Sequence, residues 1–471
     1  GVIRMLFSSI PFLYTFLPCV LIVYFLSPDR LKNTVLLLAS LLFYAWGEPR
    51  FVVFMVIAIV QGYVFGLLAE KYRSERKRAR LCVCGSAVIS LGLLGYCKYT
   101  DFFLSGFNRL TGLSVPLLHV ALPIGISFYT FQILSYVIDV YRGTAAAQRS
   151  FIDLAAYVAM FPQLIAGPIV RYTDIAPQLK QRVHTVEDAA LGARRFILGL
   201  AKKVLLANVL YELISAYKAG TETSVLFVWL YAAGFVLHLY FDFSGYSDMA
   251  IGLGRIFGFR FPENFNYPYI SASVTEFWRR WHISLGSWFR DYVYIPLGGN
   301  RVSRRKQLRN ILVVWLLTGL WHGAAWTFVL WGLLFAVLLT MEKLWYGRAL
   351  TKTHVIKHAY VLLVIAVSFV LFDADSVLGA ISTIAALFGL GGLPLTDPLS
   401  IYYLWSYAGV FLIAILGATP LPAIIVRQLA RGRITGRVVS ALEPVVLLAL
   451  LAICTGYLVD GSFNPFLYFR F

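Results

Sequence analysis

The sequence predicts an all-α integral membrane protein, with about 11 transmembrane helices plus re-entrant and amphipathic helices around a central funnel. Three observations carry that expectation. Of 471 residues, 59% are hydrophobic and the mean hydropathy is +0.75, outside the range of soluble globular chains. Apolar runs approaching or exceeding the length that spans a bilayer recur at 6–26, 34–46, 51–69, 81–97, 117–138, 151–170, 196–217, 225–241, 311–339, 359–372, 403–426 and 444–459. Several are short or broken by Gly and Pro, and these supply the re-entrant segments. Finally, the basic residues gather in short loops between apolar runs, as the positive-inside rule requires. One membrane domain is expected over 1–471: N-terminal helices at 5–97, a core at 117–345, C-terminal helices at 359–459 and a tail at 460–471.

The net charge of +18 does not point to nucleic acid, because its location explains it. Six basic residues lie in 71–80, five in 301–309 and four in 427–437. These loops are assigned to the cytoplasm. Counting back through the spans at 51–69 and 34–46 puts Arg30 and Lys32 there too, so both termini are expected outside. The cysteines at 19, 82, 84, 97 and 454 have no metal-ligand or disulfide spacing and read as small apolar residues. No cleavable signal is expected, since the first apolar run lacks a small-residue cleavage site.

Along the chain, 5–97 reads as four plain apolar helices. Residues 101–123 mix Gly, Pro and polar groups and predict a re-entrant segment, with His119 at a helix entry. In 122–141 the groups Ser127, Tyr129, Thr130, Gln132 and Ser135 cannot face lipid cheaply and should face protein or a water-filled cavity. Gln163 and the Gly167-Pro168 break read the same way. The stretch 172–203 is extramembrane in character, and Thr185 is placed to cap a helix. Asp242 and Asp248 are six residues apart, hence not on one helical face, and read as structural groups at the mouth of a cavity. The glycines of 252–258 have the wrong spacing and no preceding strand for a nucleotide loop.

The chemistry-bearing stretch is 276–331. It opens with Glu276-Phe-Trp-Arg-Arg-Trp-His-Ile-Ser-Leu285 and, after the basic loop, continues with Leu317-Thr-Gly-Leu-Trp-His-Gly-Ala-Ala-Trp326. Glu276 and Arg280 have i,i+4 spacing, as do Trp278 and His282. Charges at Arg279, Arg280, Arg290 and Asp291 are too many for a span, so 275–294 should form amphipathic helices at the cytoplasmic side. His322 stands in 311–339, a run without a formally charged side chain. An ionisable group at membrane depth is a functional candidate, although a lone histidine in an apolar helix also serves as a packing residue.

These two blocks, with Leu122-Pro-Ile-Gly-Ile-Ser-Phe-Tyr129, Phe161-Pro-Gln-Leu-Ile-Ala-Gly-Pro168 and Tyr240-Phe-Asp-Phe-Ser-Gly-Tyr-Ser-Asp-Met-Ala250, resemble the membrane-bound O-acyltransferases. They are most similar to the bacterial branch that acetylates extracellular polysaccharides. The resemblance runs from Met5 to the last residue, and Met5-Leu-Phe-Ser-Ser is similar to the family's start, so Gly1 to Arg4 read as an upstream remnant. It implies His322 as the catalytic histidine, a base for acyl transfer. His282 matches the second family histidine, with orienting the base, holding the acceptor and packing all open as roles. It also raises a donor-site reading for Trp321, Trp281, Arg279, Arg280 and Arg290, since cationic groups would position the phosphates of coenzyme A.

The end of the chain, Phe466-Leu-Tyr-Phe-Arg-Phe471, is similar to the C-terminal hexapeptide of export-linked acylation systems, which makes Tyr468 a candidate acyl relay. Read from composition alone, it is an aromatic membrane belt. The expected donor substrate is acetyl-CoA or another acetyl thioester, with no permanently bound cofactor and no metal. Expected partners are a periplasmic SGNH esterase-like O-acetyltransferase, membrane lipids and, indirectly, an alginate-like or other envelope polysaccharide, in a bacterial inner membrane. A solute or lipid transporter, and a non-catalytic scaffold of an envelope complex, stay open as rival readings, although no pair of matching discontinuous helices supports a transporter.

Overall fold

A computed structural model describes residues 5–47, 49–165, 167–220 and 223–460. In chain order its α-helices are α1 Leu17–Leu26, α2 Lys32–Gly47, α3 Val52–Lys71, α4 Arg76–Thr111, α5 Ile126–Arg142, α6 Phe151–Ala159, α7 Phe161–Leu164, α8 Tyr172–Lys180, α9 Val186–Ala201, α10 Val209–Ala219 and α11 Val225–Ile256. They continue with α12 Val274–Arg280, α13 Ile283–Phe289, α14 Arg304–His322, α15 Trp326–Met341, α16 Gly347–Leu350, α17 Ile356–Asp373, α18 Val377–Leu387, α19 Pro398–Gly417, α20 Leu421–Arg431 and α21 Arg433–Val459. The all-helical expectation holds among these residues, where the one strand-like pairing is an isolated bridge between Phe265 and Trp281. Among the described residues, seven helical segments are long and apolar enough to cross a membrane: Pro49–Lys71, Arg76–Thr111, Val225–Ile256, Trp326–Leu350, Ile356–Asp373, Pro398–Gly417 and Arg433–Val459. Phe12–Leu26 and Val377–Leu387 are shorter apolar helices.

Several predicted runs come out differently, each for a local reason. No separate segment forms over 101–111, because α4 carries on as a helix to Thr111 and ends on Gly112 at φ +72. Only 112–123 is irregular, and His119 there has φ +49. The run at 151–170 breaks at Met160, whose ψ of 110 starts α7 with Pro162 in its first turn. The stretch 172–203 is helical, with α8 and α9 joined through Thr185. Its hydroxyl accepts from the Asp188 amide at 3.0 Å and caps α9 as anticipated.

The chain divides into two compact units, Gly1–Phe196 with Ser247–Pro262, and Ile197–Tyr246 with Glu263–Phe471. In the first, Phe7, Phe12, Phe16, Phe43 and Phe161 form a nest of rings, with Phe16 edge-on to Phe161 at 5.4 Å. The polar groups of α5 are turned inward as expected, with Ser127, Tyr129, Thr130, Gln132 and Ser135 all buried. Gly192 and Gly252 cross so closely that a Cβ on either would lie 2.5 Å from the carbonyl oxygen of the other. Ion pairs flank this crossing. Arg195 holds Asp248 at 2.9 Å, and Arg255 and Arg260 hold Asp188 at 2.9 and 2.7 Å. The hydrogen bond from Arg255 keeps the Asp188 carboxyl below the usual carboxylate range. Its stabilising effect is therefore present above the unfolded-state value and fades as pH falls through the lowered one.

In the second unit, Asp242 is not at a cavity mouth. It is fully buried and ion-paired at 2.5 Å with Lys203, which is equally buried. Lys203 can reach it because residues Lys202–Asn208 form a π-helical stretch inserted ahead of α10. Such bulges re-aim side chains that an α-helix would point elsewhere. Gly245 lets this stretch approach α11, since a Cβ there would meet the Gly199 carbonyl at 2.7 Å. His238, one turn earlier on α11, bonds through Nδ1 with the Ala207 carbonyl at 2.8 Å. The helices α14 and α15 meet at Gly319 and Gly332, where added Cβ atoms would lie 2.4 and 2.3 Å from the carbonyl oxygens of Phe328 and Trp315.

Losing one partner of a buried ion pair strands a charge and costs about 3–5 kcal/mol, whereas replacing both with apolar groups is near neutral. Lys203→Met is therefore expected to lower the unfolding midpoint of the detergent-solubilised protein sharply. Lys203→Met combined with Asp242→Leu should recover most of the loss, as read by thermal unfolding.

Candidate active site

The site grows from α12 and its termini. Ser273 caps α12 by accepting from the Glu276 amide at 3.0 Å. The carboxylate of Glu342, at the end of α15, accepts from the amides of Val274 and Thr275 at 2.8 and 3.0 Å and from the Thr275 hydroxyl at 2.5 Å. A negative charge on amides at a helix start is favourable, and it ties α12 to α15. The Glu276–Arg280 pair forms as the spacing predicts, at 2.8 Å. Burial alone would raise the Glu276 carboxyl. The Ala272 amide and the Arg280 guanidinium outweigh it and hold the group below the usual range.

The spacing of Trp278 and His282 misleads, because the helix stops at Arg280. Trp281 is extended and His282 sits in the left-handed region at φ +46, so the two are not successive turns of one helix. The break is paid for in hydrogen bonds with 264–266. The Asn266 amide donates to the Arg280 carbonyl and the Ile283 amide to the Asn264 carbonyl, both at 2.9 Å. The Asn264 side-chain oxygen accepts from the amide and hydroxyl of Ser284 at 3.2 and 2.8 Å. A non-glycine residue in this region is strained, and such strain clusters at functional sites.

His282 is buried, its ring 4.7 Å from Phe243 and 5.7 Å from Trp321. His322 is the last residue of α14 and is also buried, with Trp321, Trp331 and Phe372 edge-on at 5.0, 5.2 and 5.3 Å. Trp321 thus touches both imidazoles. Gly323 follows, where a Cβ would fall 2.2 Å from the Phe328 ring. This packing ends α14 and lets α15 start at Trp326.

A cavity of about 1030 Å³ opens beside them. Of the residues singled out in the sequence, His282, Trp281, Arg279 and Arg290 line it; His322, Trp321 and Arg280 are not among its lining residues. Arg290 also pairs with Asp291 at 2.6 Å. The wall divides chemically. Arg279, Arg290, Asn300, Lys343 and Arg348 are charged or polar, while Trp278, Trp281, Trp315, Val314 and Leu339 are apolar. Asn300 gathers Tyr294, Gln307 and Lys343 through its side-chain oxygen. Trp278 packs at 4.8 Å against both Trp315 and Phe335 and at 5.5 Å against Trp331. Tyr468 lies outside the described residues. Trp278, singled out by its spacing from His282, also lines the cavity; sequence reasoning missed the wall residues Trp315, Glu342, Lys343 and Arg348, and Trp331, Phe372 and Asn264 around the two histidines. Only Glu342 left a signal, as the first acid after a long uncharged run.

A buried pair of imidazoles where helices end, beside a partly cationic cavity, is an arrangement that an enzyme can use for catalysis. The model of the membrane-bound O-acyltransferase family matches residues 143–378. A probable alginate O-acetylase of Azotobacter vinelandii is 44% identical over 83% of this chain and 80% of its own length. A second, from Pseudomonas putida, is 40% identical over 99% of this chain and all of its own. A peptidoglycan O-acetyltransferase of Helicobacter pylori is 35% identical over 83% and 81%. The chain belongs to the membrane-bound O-acyltransferase family. It is a multi-pass membrane acyltransferase, which sets aside the transporter and scaffold readings.

Because glycine carries no penalty at φ +46 and alanine does, His282→Gly should be more stable than His282→Ala by about 1 kcal/mol. Thermal unfolding of the two variants measures the difference. Gly332→Ala must push α14 from α15 at a backbone contact and is expected to cost about 1–3 kcal/mol, with a fall in the unfolding midpoint and in activity.

Proposed function

We propose that the protein moves an acetyl group from a cytoplasmic thioester donor, acetyl-CoA, across a bacterial inner membrane for O-acetylation of an extracytoplasmic polysaccharide, alginate or a related envelope glycan. The observation that carries this reading is the pairing of two buried histidines, joined through Trp321, with a cavity that combines cationic and apolar wall. The likeness to alginate O-acetylases supports the acceptor class.

Arg279 and Arg290, with Lys343 and Arg348, suit the phosphates of coenzyme A. The uncharged thioester arm then runs along the tryptophan-lined wall toward His282. His322 is the general base and Tyr468 the acceptor. His322 removes the phenol proton as the oxygen attacks the acetyl carbonyl, and the oxyanion intermediate collapses with cleavage of the C–S bond. The departing thiolate takes the proton from the imidazolium, leaving acetyl-O-Tyr468 and free coenzyme A. His282, held rigidly by its pinned turn, orients the donor or the base. A periplasmic esterase-like acetyltransferase accepts the acetyl group and delivers it to the polymer. Both termini face the periplasm.

Two experiments test this. His322→Ala should insert and fold but lose about 10²- to 10⁴-fold in acetylation, measured on polymer from cells without another acetyltransferase. Near-normal acetylation would remove His322 from the chemistry. Tyr468→Phe keeps the ring and deletes the oxygen. It should abolish polymer acetylation, and mass spectrometry of wild type incubated with labelled acetyl-CoA should find the label on Tyr468. Full activity of the Phe variant would mean that His322 acts directly on the final acceptor's hydroxyl.

A further inference from the structure

The turn between α20 and α21 is strongly basic. From 418 to 442 there are four arginines, Arg427, Arg431, Arg433 and Arg437, and no acidic residue. All four are exposed, and none makes an ion pair or side-chain hydrogen bond among the described residues. In other parts of the chain some arginines do find acids: Arg149 pairs with Glu70, Arg195 with Asp248, Arg255 and Arg260 with Asp188, and Arg280 with Glu276. Four guanidinium groups gathered at one turn between helices without counter-charge repel, so an anion from outside the chain would stabilise them.

The turn is built and not merely basic. The Thr435 hydroxyl donates to the Leu429 carbonyl at 2.5 Å, and the Gly436 amide to the Gly432 carbonyl at 2.7 Å. Gly436 packs so tightly that a Cβ would lie 2.6 Å from the Ala430 carbonyl. Arg427 and Arg431 are one turn apart on α20, and Arg433 and Arg437 one turn apart on α21, so each helix presents a pair on one face. At helical spacing Leu421, Ile425 and Leu429 make an apolar arc of α20 separate from its arginines, and all three are exposed. The adjoining spans add little protein cover, since α19 and α21 bury only 11% and 6% of their apolar windows, against 39% for Trp326–Leu350.

We propose that this turn is a binding site for an anionic phospholipid. The apolar arc of α20 lies at the acyl boundary, and the arginines above it hold the phosphodiester of a phosphatidylglycerol headgroup. Guanidinium matches phosphate oxygens two at a time, and an amphipathic basic helix at the interface gains from both terms. A soluble anion would satisfy the arginines but leave the apolar arc uncovered. A lipid satisfies both.

The test uses the full chain in nonionic detergent, with phosphatidylglycerol and phosphatidylcholine of the same acyl chains, read by native mass spectrometry and by the unfolding midpoint. Wild type should retain phosphatidylglycerol in preference and unfold at a higher temperature with it. Changing all four arginines to Gln should weaken that retention about tenfold or more and erase the difference in midpoint, while changing them to Lys should keep most of it. The four positions are exposed, so the substitutions leave the packing intact, and circular dichroism checks the fold. An unchanged preference in the Gln variant overturns the proposal. So does displacement of the lipid by inorganic phosphate at constant ionic strength, which assigns the arginines to a soluble anion. Loss of an oligomer with lipid retention unchanged would assign the face to a second copy of the chain, and overturns it too.

Discussion

A buried backbone has no water to satisfy it, and the centre of this protein depends on how that demand is met at 281–283. The helix that begins at Ser273 has to end so that His282 can leave the helical path. It ends against 264–266, which supplies the missing partners from main chain and from one asparagine side chain. Without Asn264 and its neighbours, the left-handed turn would have unmet amides as well as strain. With them, the backbone of a histidine is fixed at the wall of a cavity, and its ring packs against Phe243 and Trp321.

The second histidine is placed by a different device. α14 and α15 touch backbone to backbone at Gly319 and Gly332, and the connection between them is so short that His322 must end one helix while Trp331 lies early in the next. Phe372, from α17, closes the remaining side. Next to it Asp373 receives Lys218 and the Tyr231 hydroxyl, both at 2.6 Å, so the end of α17 is anchored by charge as well as by packing. One imidazole is held by hydrogen-bonded backbone and the other by close-packed rings, and Trp321 joins the two arrangements.

Much of this was legible in the sequence, and the limits have physical causes. The all-helical membrane fold follows from hydropathy, and the inward polar face of α5 follows from the cost of Ser127, Thr130 and Gln132 in lipid. The two histidines stand out because few ionisable groups occur in or beside apolar helices. What could not be read was long-range. Periodicity placed Trp278 and His282 on one helix face, because nothing local announces that 264–266 will end the helix. Asp242 looked like a rim residue because its partner Lys203 is 39 positions away and reaches it only through a π-helical insertion. Nothing local sets Trp315 and Trp331 apart from other tryptophans in apolar helices; only packing puts Trp315 at the cavity wall and Trp331 against His322.

The Lys203–Asp242 pair also constrains how the chain enters the membrane in the first place. Asp242 lies mid-way along α11, and a lone carboxylate or ammonium at that depth disfavours insertion by about 2.5–3.5 kcal/mol. If the 202–208 stretch and α11 entered one after the other, each would carry that penalty in turn, with no partner yet present. Entering together as a hairpin, they neutralise each other before either meets lipid. The ion pair thus couples the burial of the 202–208 stretch to that of α11, since neither charge is met until the other lies beside it.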